Sequence, residues 1–187
     1  MDFSFPKARL SQVAATATLL LACLACNSDD APSSPATTGH YFNLADYFGE
    51  EAQRLQGVNP EVIKTVIKDG KAEEQHVHLS DWRDEFALFI DADINKPAWQ
   101  HSYQVDSTDT SITYTRTDST LRTESIAIKK TNAGKITHIH ITNRVRNMLY
   151  QTEEQLDYYP DSLYRIVKQQ HVRFLGENRY TVNGQWR

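Results

Sequence analysis

Ile136-Thr137-His138-Ile139-His140-Ile141-Thr142-Asn143-Arg144-Val145-Arg146 is the stretch that decides the fold. Ile139 and Ile141 fall on one parity and His138 and His140 on the other, the two-residue period of a half-buried β-strand. The same character extends both ways. Ser102–Ser107, Ser111–Thr117, Leu121–Lys129, Met148–Asp157, Leu163–Val172 and Tyr180–Trp186 are rich in Thr, Tyr, Ile and Val, the residues that suit a pleated surface. Short polar turns separate them, among them Asp118-Ser119, Thr131-Asn132-Ala133-Gly134 and Gly176-Glu177-Asn178. Links this short join antiparallel neighbours, because a parallel pair needs a long crossover. The seven segments therefore form a meander.

Upstream, the period changes. Asn43 is placed to cap a helix with Asp46 at its third position, a capping-box arrangement. Leu44, Tyr47, Phe48 and Leu55 make its apolar stripe, and Gly57 is the expected stop. Glu61–Lys68 and Lys71–Leu79 read as a hairpin closed by Asp69-Gly70, a favoured two-residue turn. Ser80 is placed to cap a second helix, with Asp81, Asp84 and Glu85 in its first turns on a polar, outward face. Its buried stripe is Trp82, Phe86, Phe89 and Ile90, and Lys96-Pro97 marks its exit. The expected fold is α+β: two N-terminal helices packed on a curled antiparallel meander sheet of about seven to nine strands. Tyr and Thr dominate the strands, so one face of that sheet is wet.

Composition narrows the function. The 187 residues carry 20 Lys+Arg against 24 Asp+Glu, a net charge of −4, with 40% hydrophobic residues. These are globular proportions, and the acidic balance speaks against a nucleic-acid partner. The only cysteines are Cys23 and Cys26. From there to Arg187 disulfides, thiolate zinc sites and cysteine nucleophiles are excluded.

Those cysteines end a distinctive segment. Lys7 and Arg9 precede an uncharged run from Val13 to Ala25, which as a helix would reach only about 20 Å across a hydrocarbon core of about 30 Å. That is too short to span and has the layout of a secretory signal. Leu20-Leu21-Ala22-Cys23 and Cys23-Leu24-Ala25-Cys26 each resemble a bacterial lipoprotein signal, in which a small residue precedes a cysteine that is acylated and becomes the new N-terminus. Cys26 is the favoured position and Cys23 the alternative, since Asn27-Ser28-Asp29-Asp30 follows Cys26 and resembles the acidic stretch behind the lipidated cysteine of Bacteroidota surface lipoproteins.

The resemblance implies a signal peptide over residues 1–25, a lipidated cysteine with flexible tether over 26–39, and a single domain over 40–187. It implies attachment to the outer membrane, surface-exposed, with the periplasm-facing orientation as the alternative. Cleavage would leave 18 basic and 23 acidic side chains, a charge of −5. Each buried methylene of the acyl chains would add about 0.8 kcal/mol to membrane attachment. Asp30 to Gly39 is small, polar and proline-bearing, as a tether should be. Asp93-Ile94-Asn95-Lys96-Pro97-Ala98-Trp99 is similar to short segments of uncharacterised lipoproteins of the same group, and implies no activity.

Within the domain, His76-Val77-His78 and His138-Ile139-His140 each put two imidazoles on one strand face. The four rings would converge on a divalent metal if their strands were neighbours. Against this, Val77, Leu79, Ile139 and Ile141 are the natural core side, which leaves the histidines on a watered surface, and no acid follows either pair at a familiar metal-triad spacing. Asp91-Ala92-Asp93-Ile94-Asn95 opens like a calcium loop, but Lys96 and Ser102 stand where glycine and glutamate are needed; Asp91 and Asp93 are instead expected to bond the backbone at a helix exit. Nucleophile elbow, phosphate loop and dinucleotide fingerprint have no counterpart in the sequence. The expectation is a non-enzymatic binding or assembly protein without a cofactor, meeting a protein, glycan or apolar ligand. The alternatives are a carrier of lipid or another apolar molecule, and a metal-dependent hydrolase on the His-x-His pairs.

Overall fold

A computed structural model describes residues 41–187. The segments expected to be signal peptide and tether, with Cys23 and Cys26, lie outside those residues. The described chain is mostly one nine-stranded antiparallel sheet with a few short helical segments. No described helix is long and apolar enough to cross a membrane.

The strands are β1 (Glu61–Lys68), β2 (Lys71–His78), β3 (Tyr103–Ser107), β4 (Ser111–Arg116), β5 (Thr123–Lys130), β6 (Ile136–Arg146), β7 (Tyr150–Tyr159), β8 (Leu163–Val172) and β9 (Gly176–Gln185). Their order is β2-β1-β9-β8-β7-β6-β5-β4-β3. The expected seven-strand meander is therefore continuous, and the early hairpin joins it by pairing β1 with β9. Asp69 and Gly70 close that hairpin at φ 48° and 80°, both positive, as a turn matched to strand twist requires. The edge strand β2 exposes Lys71, Glu73 and Glu74, charges that discourage pairing with another chain. Several strand boundaries shift from expectation, and two of the shifted starts have a local cause. β7 starts at Tyr150 rather than Met148, because Asn147 spends the intervening residues on a turn: its Oδ1 accepts from Leu149 N (2.8 Å) and Tyr150 N (2.9 Å). β9 starts early, at Gly176, whose φ of 87° favours glycine.

The first helix, α1 (Leu44–Val58), begins as expected, with Asn43 Oδ1 accepting from Asp46 N at 2.9 Å. Gly57 does not stop it. The stop is Asn59, in the left-handed conformation at φ 48° with its N–H on Leu55 O. The expected second helix is two single turns, α2 (Trp82–Glu85) and α3 (Ala87–Ile90), separated where Phe86 leaves helical geometry at φ −92°, ψ 8°. So short a segment holds by packing rather than by its own cooperativity. Its cap is Asp81, not Ser80: Asp81 Oδ1 accepts from Arg83 N (2.8 Å) and Asp84 N (3.0 Å).

One core joins these elements. Leu44, Phe48, Leu55, Trp82, Phe86 and Phe89 are buried with Ile126, Ile128, Ile139, Ile141, Leu156, Tyr158, Tyr164 and Trp186. Phe86 has rings of Phe48, Trp82, Phe89, Tyr158 and Tyr164 at centroid distances of 5.4–6.0 Å. The buried tyrosines end in hydroxyls that need acceptors. Tyr158 OH donates to Glu51 on α1, and Tyr164 OH donates to Glu85 on α2. Glu85 also pairs with Lys64 Nζ at 2.8 Å. It therefore points at the sheet rather than outward, because the Tyr164 hydroxyl beneath it requires a partner. Burial, reinforced by these carboxylates, pushes both phenols well above the ordinary tyrosine range, so they remain donors.

The segment Asp93–Asn95 is a clamp. Asp93 Oδ1 accepts from Asn95 N (2.8 Å), the expected turn. Its Oδ2 reaches across to the start of α1, accepting from Leu44 N (2.7 Å) and Ala45 N (3.2 Å). Asn95 Nδ2 donates to Phe42 O at 3.1 Å. The acidic pattern is thus spent on capping a helix remote in sequence.

Candidate functional site

Period two sends alternate residues of β6 to opposite faces of the sheet. Ile139 and Ile141 enter the core, so His138 and His140 stand on the other face, half-buried. The β6–β7 register sets Asp157 directly opposite His140. Asp157 Oδ1 accepts from His138 Nε2 and from His140 Nδ1, each at 2.8 Å. Two imidazole protons thus converge on one carboxylate oxygen. His138 stacks on Tyr159 with centroids 4.3 Å apart and planes 9° apart. His140 Nε2 lies 3.4 Å from Thr142 Oγ1.

The electrostatics follow from these bonds. The hydrogen bond to Asp157, with its charge, holds the His140 imidazole above its ordinary value against the opposing effect of burial. Burial pushes Asp157 up, but the bonds and charge of His140 and His138 outweigh it and keep the carboxyl below the usual range. His138, His140 and Asp157 each offer a ligand atom, and these atoms lie within 4.8 Å of one another.

The other histidine pair is elsewhere. β2 is at the sheet edge, and four strands separate it from β6, so the neighbour condition for four converging imidazoles is not met. His76 lies 3.8 Å from Glu61 and 4.0 Å from Glu74 in the open, while His78 Nδ1 meets Asn59 O at 3.1 Å. Asp157 went unnoticed in the sequence because it is 17 residues from His140. The available signal was the turn at Asn147: once it is placed, counting outward pairs 140 with 157.

A second surface lies at one end of the sheet. Met148 and Leu149 occupy the β6–β7 turn, and Phe174 and Leu175 the β8–β9 turn. Their exposures are 87%, 66%, 84% and 82%. The two tips are adjacent: Tyr150 pairs with Val172, and Arg173 N donates to Leu149 O at 3.0 Å. The Arg173 guanidinium lies 5.6 Å from the Phe174 ring centroid, and Arg146 is exposed at the end of β6. Of the strand tyrosines, Tyr103, Tyr114, Tyr158 and Tyr164 go to the core, whereas Tyr150 and Tyr159 remain accessible. No protein-family model, curated protein or solved structure matches the chain.

Proposed function

We propose that this chain is a lipid-anchored extracytoplasmic binding or assembly protein, non-enzymatic, which meets a partner protein through the tips of two adjacent hairpins. Cys26 carries the lipid, or Cys23 in the alternative register. Residues 26–39 hold the domain off the outer membrane, surface-exposed or, in the alternative, facing the periplasm. Within the domain the helical segments cover one face of a curled sheet, which leaves the other face and the tips for contacts.

The observation that carries this reading is the exposure of Met148, Leu149, Phe174 and Leu175 side by side. Large apolar side chains grouped in the open mark interaction surfaces. Burying each against a partner is worth about 1.5–3 kcal/mol. Arg146 and Arg173 border the group, giving the apolar centre and polar rim usual in protein interfaces. The complementary partner has an apolar recess edged with acidic side chains. The carrier alternative needs room between helices and sheet. There Phe48, Phe86, Phe89 and Tyr158 stack at centroid distances of 4.7–6.3 Å, which favours a partner at the tips over a lipid inside.

The test compares the full chain with a variant carrying Met148→Ser, Leu149→Ser, Phe174→Ser and Leu175→Ser, each isolated from the cell envelope with its associated proteins. The variant is expected to melt within a few degrees of the original, since these side chains are already exposed. It should lose specific proteins that the original retains. Identical associated sets, or none with either chain, would refute the reading; retention of the original but not the variant on protein-free vesicles, both in a Cys23→Ser/Cys26→Ser background, would assign the tips to lipid instead.

A further inference from the structure

We propose that His138, His140 and Asp157 bind one divalent transition-metal ion. This inference is independent of the hairpin tips, and rests on where three side chains aim their donor atoms. His138 Nε2 and His140 Nδ1 both point at Asp157 Oδ1, at 2.8 Å each. A dication at the centre of that triangle replaces the two imidazole protons and faces the same three atoms. The ligand atoms already lie within 4.8 Å of one another. Tetrahedral ligands on a zinc ion at about 2.0–2.2 Å sit roughly 3.3 Å apart, so the two nitrogen–oxygen distances open by about half an ångström on loading.

The donor set selects the class of ion. Two neutral imidazoles and one carboxylate suit zinc, iron(II), cobalt(II) or manganese(II), whereas calcium and magnesium want oxygen alone. The ligands are held before any ion arrives. Tyr159 stacks on the His138 ring, Thr142 borders the far nitrogen of His140, and the Asn147 turn fixes the register that brings in Asp157. Such outer partners keep ligands aimed. His76 and His78 take no part, since four strands lie between β2 and β6.

Three protein ligands leave at least one coordination position free. Asp157 and Tyr159 also line a depression of about 570 Å³, together with Ile63, Thr65, Leu163, Arg165, Asn183 and Gln185. The free position therefore adjoins a recess that admits water or a small ligand. Among the described residues that line the recess, Glu74 of the edge strand β2 is the one acid besides Asp157.

Cobalt(II) titration of the full chain tests the proposal, in a Cys23→Ser/Cys26→Ser background that keeps the two thiols from competing. One equivalent should bind, with visible absorption of a four- or five-coordinate nitrogen/oxygen site, and zinc should displace it. His140→Gln and Asp157→Asn should each weaken binding at least about tenfold, while His76→Gln/His78→Gln leaves it unchanged. Circular dichroism confirms that the variants fold; should Asp157→Asn fail, His140→Gln and His138→Gln at the half-exposed positions decide. Absence of saturable binding, equal binding by the site variants, or dependence on His76 and His78 would overturn the assignment.

Discussion

Gly184→Ala is expected to lower the melting temperature by about 10 °C, corresponding to about 3 kcal/mol. Gly184 lies in β9 directly opposite Tyr164 of β8, and the Tyr164 ring lies across the space that a Cβ on Gly184 would occupy. The ring has nowhere to go. It is fully buried, its hydroxyl donates to Glu85, and Phe86 and Trp186 stand at centroid distances of 6.0 and 6.1 Å. A glycine inside a strand is ordinarily a weakness, tolerated where another group must approach the backbone. Here that group is the tyrosine that ties the sheet to α2. Gly57→Ala provides the opposite sign: it lies within α1 and an added methyl meets nothing within 4 Å. It should stabilise by about 0.5–1 kcal/mol. Thermal unfolding of both variants checks the pair; equal, small shifts would mean that Tyr164 does not lie over Gly184.

The second large effect is at Glu154, a carboxylate on the core side of β7 with only 4% exposure. Arg122 Nη2 pairs with its Oε2 at 2.8 Å and Lys168 Nζ with its Oε1 at 3.0 Å. Burial pushes this acid up, but the bonds and charges of Arg122 and Lys168 outweigh burial and hold it below the ordinary range. Because the folded value lies below the unfolded one, the group stabilises the fold at pH above the unfolded carboxylate value of about 4.3, and the contribution is lost as pH falls through the folded value. Glu154→Gln should cost about 2 kcal/mol at pH 7. This is below the usual loss for a broken buried pair, since Arg122 and Lys168 remain partly solvated. The gap between the two proteins should begin to narrow as pH falls below the unfolded carboxylate value of about 4.3, and close only once pH passes below the lower folded value, where Glu154 itself is neutral. Urea unfolding at pH 7, 5, 4 and 3 measures this. A gap independent of pH would show that shape rather than charge sets the cost.

Much of the sheet was legible because its determinants are local. Alternation at Ile139 and Ile141 assigned the core side of β6, Asp69-Gly70 closed the first hairpin, and short links forced the meander. The union of β1 with β9 was not legible, since it joins residues such as Ile67 and Thr181 with no local signal between them. The same holds for the acids. Glu85 and Asp93 look like helix-end charges in isolation, and their partners Tyr164 and Leu44 appear only when the chain is folded. Asp157 is the instructive case. The two histidines were visible as a pair, but their carboxylate depended on a register that one asparagine turn sets, and a slip of one residue would have turned it to the other face.

The proposal that this domain works as a membrane-held binding module stands or falls at Cys26. Mass spectrometry of the mature protein isolated from the envelope measures it directly. The expected result is a chain lacking residues 1–25, whose first residue is a cysteine bearing a diacylglyceryl thioether and an amide-linked acyl chain. A mature protein that keeps Met1, or that begins at an unmodified residue, would contradict the account.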